Sequence, residues 1–316
     1  MNGVQAEIEV AFNDAAAHDT AATEWLNPNS EWGEMKVPVE TDGRLWDGPN
    51  SGIARSKLDR IGRALVALPD GFKPHRGIER VLKARATALD SGEGIDWATA
   101  ESFAFGSLML EGNKVRLAGQ DVQRGTFSHR HAVVRDQKTG AAHTFLNAIE
   151  RDDSEDAAAT SEVDIFNSPL NEFGVLGFEL GYSMESPKAL VLWEAQFGDF
   201  ANGAQVIFDN FLCSMEAKWK RQSGLVCLLP HGYQGAGPEH SSCRIERFLQ
   251  NSDEDPNTVP TTVDERHAIE KRGNWQVVNP STPANYFHVL RRQLCREYVC
   301  FLVVAVDHKR CLALNF

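Results

Sequence analysis

The sequence contains no Cys-x-x-Cys pair. Its six cysteines, Cys213, Cys227, Cys243, Cys295, Cys300 and Cys311, are scattered and none stands at zinc-ligand spacing from a histidine. That excludes a metal centre or a disulfide framework as the organising feature and indicates a reducing compartment. No basic residue precedes Lys36, so neither the positive start of a secretory signal nor the arginine-rich face of a transit peptide is visible. No apolar run is long enough to cross a bilayer, and no membrane partner is expected. Lysine and arginine total 32 against 44 aspartate and glutamate, a net charge of -12. Nucleic-acid binding needs clustered positive charge, so that class of partner is excluded too. What is present is 316 residues of 42% hydrophobic and 24% charged composition, enough for a sizeable core and more than one structural unit.

Residues 1–55 are rich in Ala, Asn, Asp, Gly and Pro and read as a poorly ordered lead-in with a short helix near residues 6–12. A helical linker over 56–92 follows. Ile61, Leu65 and Leu68 define one helix stopped by Pro69-Asp70-Gly71, and Ile78, Val81, Leu82, Ala86 and Leu89 define the next. Asp96 is the expected N-cap of a third helix with an apolar stripe from Trp97 to Met109. Beyond Gly112 the texture changes to short apolar runs at 115–118, 189–193, 225–229 and 275–278, with helical patterns at 172–182, 201–211 and 285–292. Such alternation predicts an α/β fold with a mostly parallel sheet covered by helices on both faces. The acidic segments 151–164 and 252–272 are expected as exposed loops. Ligands of open parallel sheets bind beyond the carboxyl ends of the strands. The residues to inspect are therefore Gln120-Asp121, 194–200, Pro230-His231-Gly232 and Asn279-Pro280. The glycine-rich stretch 232–237 lacks the lysine of a P-loop and reads as a turn.

Several segments carry more than composition: Leu117-Ala-Gly-Gln-Asp121, Gly125-Thr-Phe-Ser-His-Arg-His131, Leu192-Trp-Glu-Ala-Gln-Phe-Gly-Asp-Phe200, Leu229-Pro-His-Gly232, Gly237-Pro-Glu-His-Ser-Ser242 and Thr282-Pro-Ala-Asn-Tyr-Phe-His-Val-Leu-Arg-Arg292. Over about residues 56–293 these resemble the decarboxylating component of the 2-oxoglutarate dehydrogenase complex, a thiamine diphosphate enzyme. The resemblance implies a transketolase-like pyrimidine-binding domain over 93–293. It implies that Glu172, in Asn167-Ser-Pro-Leu-Asn-Glu-Phe-Gly174, is the carboxylate beside the aminopyrimidine N1′ nitrogen. On residue type alone, a glutamate in the first turn of a helix is there for the dipole. By the same resemblance Phe200 stacks on the pyrimidine, Gln196 lies nearby, and Gln120 and the Leu170 backbone make further contacts. Gly174, Gly177 and Gly181 would let that helix pack closely on a neighbour. The substrate, 2-oxoglutarate, is a dicarboxylate, and histidines suit it. His240 is the expected substrate handle, with His231, His129 and His131 as further candidates. The last two would share one face if they lie on a strand.

The sequence also departs from the resemblance. It contains no Gly-Asp-Gly, the motif with which the family binds the cofactor's diphosphate through magnesium. Residues 294–316 lose the family pattern and are expected to be an aberrant, truncated tail, the signature of an incomplete gene model. The resemblance implies a lipoyl-bearing succinyltransferase component as partner, a homodimer in the complete enzyme and a mitochondrial matrix location in a eukaryote. The 316 residues alone are expected to be inactive. Two alternatives stand beside this: a 2-oxoadipate dehydrogenase relative, which the first histidine of Phe127-Ser-His-Arg-His131 disfavours, and a non-catalytic protein that binds full-length subunits.

Overall fold

A computed structural model describes residues 2–17, 31–35, 49–150, 162–219, 221–233, 237–255, 257, 259, 261–262, 273–296 and 299–307. Helix α1 (Asn2–Ala17) leads, followed by α2 (Arg55–Ala64), α3 (Arg76–Ser91) and α4 (Trp97–Leu110). Strand β1 (Lys114–Gly119), the hairpin β2 (Val133–Arg135) and β3 (Ala142–Thr144), and β4 (Val163–Asn167) come next. Then follow α5 (Glu172–Ser183), β5 (Ala189–Glu194), α6 (Gln205–Ile207), α7 (Met215–Trp219), β6 (Val226–His231), α8 (Ile245–Gln250), β7 (Trp275–Val278), α9 (Pro283–Cys295) and β8 (Phe301–Asp307).

Helix boundaries follow local chemistry. Asp96 caps α4 by accepting from Thr99 N at 2.7 Å, as expected. Asn171 Oδ1 caps α5 through Gly174 N at 2.8 Å, and Thr282 Oγ1 caps α9 through Asn285 N at 3.1 Å, with Pro283 supplying a preset φ in the first turn. Helix α3 stops at Gly92, whose φ of 72° is left-handed.

The main sheet has six strands in the order β4-β1-β5-β6-β8-β7, and every pairing in it is parallel. Successive residues of the central strands serve opposite faces. Leu190 and Leu192 join a core with α2, α3, α4 and α9, while Val191 and Trp193 join a second core with α5 and residues 201–215. Both faces are covered, which is why the strands read as unbroken apolar runs. The four strands expected from those runs are all present.

The differences are local. The expected end of the domain at 293 is corrected: beyond it, β8 is inserted between β6 and β7, and Phe301, Leu302, Val303 and Val304 are buried. A continuous apolar run is the normal appearance of an interior parallel strand, so this stretch is sheet and not an aberrant tail. The lead-in also contains placed pieces. Helix α1 is largely exposed, but Trp32 is buried and its Nε1 donates to Met184 O at 3.1 Å. The single helix expected over 201–211 is replaced by a 3₁₀ turn at Gly198–Ala204, the short α6 and a π turn at Phe208–Leu212. The loop expected over 151–164 ends earlier, because Val163 and Asp164 belong to β4; residues 151–161 lie outside the described set. The described part of 252–262 is exposed apart from half-buried Ser252.

Leu302 is fully buried in β8. Leu302→Ala is predicted to destabilise the chain by about 2–5 kcal/mol, as does Leu192→Ala in β5, measured by urea denaturation. A neutral L302A would place residues beyond 293 outside the core.

Candidate functional site

The cleft opens where β1 and β5 end. At Gly119 a Cβ would lie 2.3 Å from Glu194 O, so only glycine lets β1 leave the sheet this close to β5. The chain turns through Gln120, and Ser168 N donates to Gly119 O at 2.8 Å, bringing the β4–α5 connection alongside. The cleft is lined by Gln120, Leu170, Asn171, Glu172, Trp193 and Gln196, among others. Glu172 occupies the first turn of α5 and is half-buried. A Cβ on Gly203 would come within 3.2 Å of its Oε2, so the 3₁₀ turn passes close against the carboxylate and a side chain there would have to displace it slightly. The Gln120 Oε1 atom is buried with no hydrogen-bond partner. An unpaired buried acceptor is costly unless something supplies a donor.

A second group lies beside the cleft. Phe197 stands edge-on to His240 at 4.5 Å between centroids, Phe200 to His240 at 5.2 Å, and Phe127 to Phe197 at 5.6 Å. Phe200 is therefore packed with His240 and is not among the residues lining the Glu172 cleft. His129 lies 5.9 Å from Phe127, and its Nδ1 is buried without a partner. Burial, with Arg130 next to it, lowers the His129 pKa to about 3, so this ring is neutral at any ordinary pH. Burial also lowers the His131 pKa. The expectation of a shared strand face is corrected: both histidines sit on a loop before β2, with His131 at φ 46° and Ser128 at φ 53°. His231 ends β6 and its Nδ1 accepts from Cys243 N at 3.1 Å.

Sequence reasoning gave no role to the ion cluster between the two groups. Arg130 donates from Nε to Glu101 Oε1 at 2.5 Å and from Nη1 to Glu194 Oε1 at 2.9 Å, and also bonds Val122 O. Tyr286 donates to Glu101 Oε2 at 2.8 Å. Burial opposes the Arg130 charge, but the Glu101 and Glu194 carboxylates outweigh it and raise its pKa further. Glu194 lines the Glu172 cleft on one side and, on the other, a cavity shared with Phe127, His129, Pro230 and Tyr286. The available signal was Glu101 itself, a charge in a helix with no exposed face.

A strand-end cleft with a helix-borne carboxylate on an open parallel sheet is the ligand-site geometry of an α/β domain. Residues 93–307 match the family model for the transketolase pyrimidine binding domain, and the chain belongs to that family. Within it, the chain is similar to the mitochondrial 2-oxoglutarate dehydrogenase of Dictyostelium discoideum, at 51% identity over 308 residues, 96% of this chain and 29% of that protein. It is 47% identical over 290 residues to the mitochondrial 2-oxoglutarate dehydrogenase of Saccharomyces cerevisiae, covering 92% of this chain and 28% of that protein. It is likewise 47% identical over 291 residues to the 2-oxoglutarate dehydrogenase E1 component of Brucella anthropi, 92% of this chain and 26% of that protein. The chain thus spans under a third of the length of the relatives it matches.

The depressed His129 pKa makes a signed prediction. Between the usual histidine value of 6.5 and about 3, the unfolded chain binds a proton at this residue that the folded chain does not. Stability contributed by neutral His129 is therefore present above 6.5 and lost progressively as pH falls toward 3. The pH-dependent loss of the urea midpoint across that window is predicted to be shallower in His129→Gln, and equal slopes would contradict it.

Proposed function

We propose that this chain carries the pyrimidine side of a thiamine diphosphate site and serves, within a longer protein, in the oxidative decarboxylation of 2-oxoglutarate with succinyl transfer to a lipoyl group, a step of the tricarboxylic acid cycle. One observation carries the reading most. Gln120, Leu170, Glu172 and Gln196 come from three separate segments and line one cleft. The residues fit the cofactor's aminopyrimidine, which offers both a ring nitrogen and amine donors. On this reading Glu172 holds a proton at N1′, and the unpartnered Gln120 Oε1 accepts from an N–H. Thiamine diphosphate, if held there, would supply the electron sink for loss of carbon dioxide from a 2-oxo acid. Phe197 and Phe200 pack edge-on against His240. His240 is the proposed handle for the substrate carboxylates, with neutral His129, His131 and His231 as further candidates.

The diphosphate and its magnesium ion belong to a Gly-Asp-Gly segment that these 316 residues do not contain. The names of the similar proteins support 2-oxoglutarate as substrate and, for the two eukaryotic relatives, a mitochondrial location; a lipoyl-bearing succinyltransferase component as partner and the matrix compartment are part of this proposal. The outer face of α5 supports a homodimer. Leu170, Phe173 and Phe178 are exposed by 71%, 52% and 60%, and a Cβ on Gly181 would meet nothing within 4 Å. Within the stripe Gly177 already faces Ile207 of the same chain, at 3.5 Å from a Cβ, so on this reading only the Gly181 end of α5 is left for a second copy.

In the longer protein, Glu172→Gln is predicted to lower kcat for cofactor-dependent decarboxylation of 2-oxoglutarate by about 10²- to 10⁴-fold, the range for a proton-transfer group, with KM nearly unchanged. The isolated 316 residues are predicted to show no turnover. Full activity in E172Q, or cofactor-dependent decarboxylation by the 316 residues alone, would contradict the reading.

A further inference from the structure

The segment that carries His240 is held from below by another histidine. Residues 237–244 lie over the carboxyl end of β6, and two adjacent ties bind them there. Gly232 N donates to Ser241 O at 2.6 Å, and Cys243 N donates to His231 Nδ1 at 3.1 Å. The segment is closed internally by Ser241 Oγ donating to Gly237 O at 2.5 Å, and Arg244 Nη1 reaches Asp199 O at 3.3 Å. Cys243 is buried, so its amide has no water to fall back on, and an unpaired buried N–H is costly.

A backbone amide can only donate. The ring nitrogen that receives it must carry a lone pair and no proton, and in a neutral imidazole the other nitrogen then carries the proton. The contact therefore fixes both the rotamer and the tautomer of His231. We infer that His231 is a positioning residue: its unprotonated Nδ1 pins the Cys243 amide and so sets where His240 stands against Phe197 and Phe200, leaving Nε2–H as its one donor. This rests on the reading of His240 as the substrate handle, and it moves Nδ1 of His231 out of the set that can meet substrate directly. His240 is anchored by ring contacts at 4.5 and 5.2 Å, distances that depend on the backbone three residues from the pin.

Asparagine and glutamine separate this role from bulk packing. The Asn Oδ1 atom sits at the same bond distance from Cα as Nδ1 and can accept the Cys243 amide, while the Gln carbonyl lies one bond further out, in the place of Nε2. The test uses the ¹⁵N-labelled 316-residue chain. Long-range proton–nitrogen correlation at mildly alkaline pH is expected to show His231 with Nδ1 bare and Nε2 protonated. Amide exchange at Cys243 is expected to be within about twofold of the wild type in His231→Asn and about fivefold faster in His231→Gln, the factor that corresponds to losing one neutral hydrogen bond of ~1 kcal/mol. An Nδ1–H tautomer, or equal exchange in H231N and H231Q, overturns the inference. If neither variant folds, the wild-type tautomer decides it. No cofactor enters these readouts, so they fail or succeed separately from the effect of E172Q on decarboxylation.

Discussion

The fold around the site depends on one buried cation. Arg130 lies on a loop with irregular backbone, yet its guanidinium is 2% exposed and clamped between Glu101 of α4 and Glu194 at the end of β5. Taking such charges out of water costs several kcal/mol per ion before any attraction is counted, and only saturated hydrogen bonding offsets it. Here it is nearly saturated, since Val122 O and the Tyr286 hydroxyl complete the cluster. Removing Arg130 would strand two buried carboxylates, and breaking a buried pair in this way costs about 3–5 kcal/mol. The cluster therefore fixes the relative position of α4, α9, β5 and the His129 loop more tightly than apolar packing alone would.

That constraint links the two halves of the site. The Glu194 carboxylate is turned toward Arg130, and the strand end it closes continues directly into Ala195 and Gln196 at the cleft. On the other side, the same loop that delivers Arg130 also delivers His129 and Phe127 to the aromatic group around His240. A shift of the loop would move the cofactor cleft and the histidine group together. A second ion pair, Arg116 with Glu179 at 2.8 Å, fastens α5 to β1, so the helix carrying Glu172 is also tied to the sheet by charge.

Much of this was readable from the chain itself. The central strands announce themselves as unbroken apolar runs because both faces of the sheet are covered, and the cap Asp96 stands where side-chain chemistry predicts. The hairpin at 133–135 and 142–144 was not readable, since three-residue strands carry too little alternation to register. The 201–211 region has helical periodicity, but 3₁₀, α and π turns differ too little in period over eleven residues to be told apart. The run Phe301 to Val304 has the continuous apolar pattern of an interior strand; the motifs that carry the resemblance end at Arg292, whereas the family match runs to 307, so the physical pattern is the better guide there. At the site, Glu172, Gln120 and Gln196 are separated by up to 76 residues, and no local pattern brings them together without the resemblance. The Arg130 cluster needed tertiary structure, although Glu101 within an all-round buried helix was a sign that a partner must exist.

The most direct test of the central claim is the structure of the longer protein with thiamine diphosphate bound. The account predicts a Glu172 carboxylate oxygen within hydrogen-bonding distance of the pyrimidine N1′, about 2.6–3.2 Å, with Gln120 also facing the ring. A pyrimidine bound elsewhere, with Glu172 turned to solvent, would contradict it.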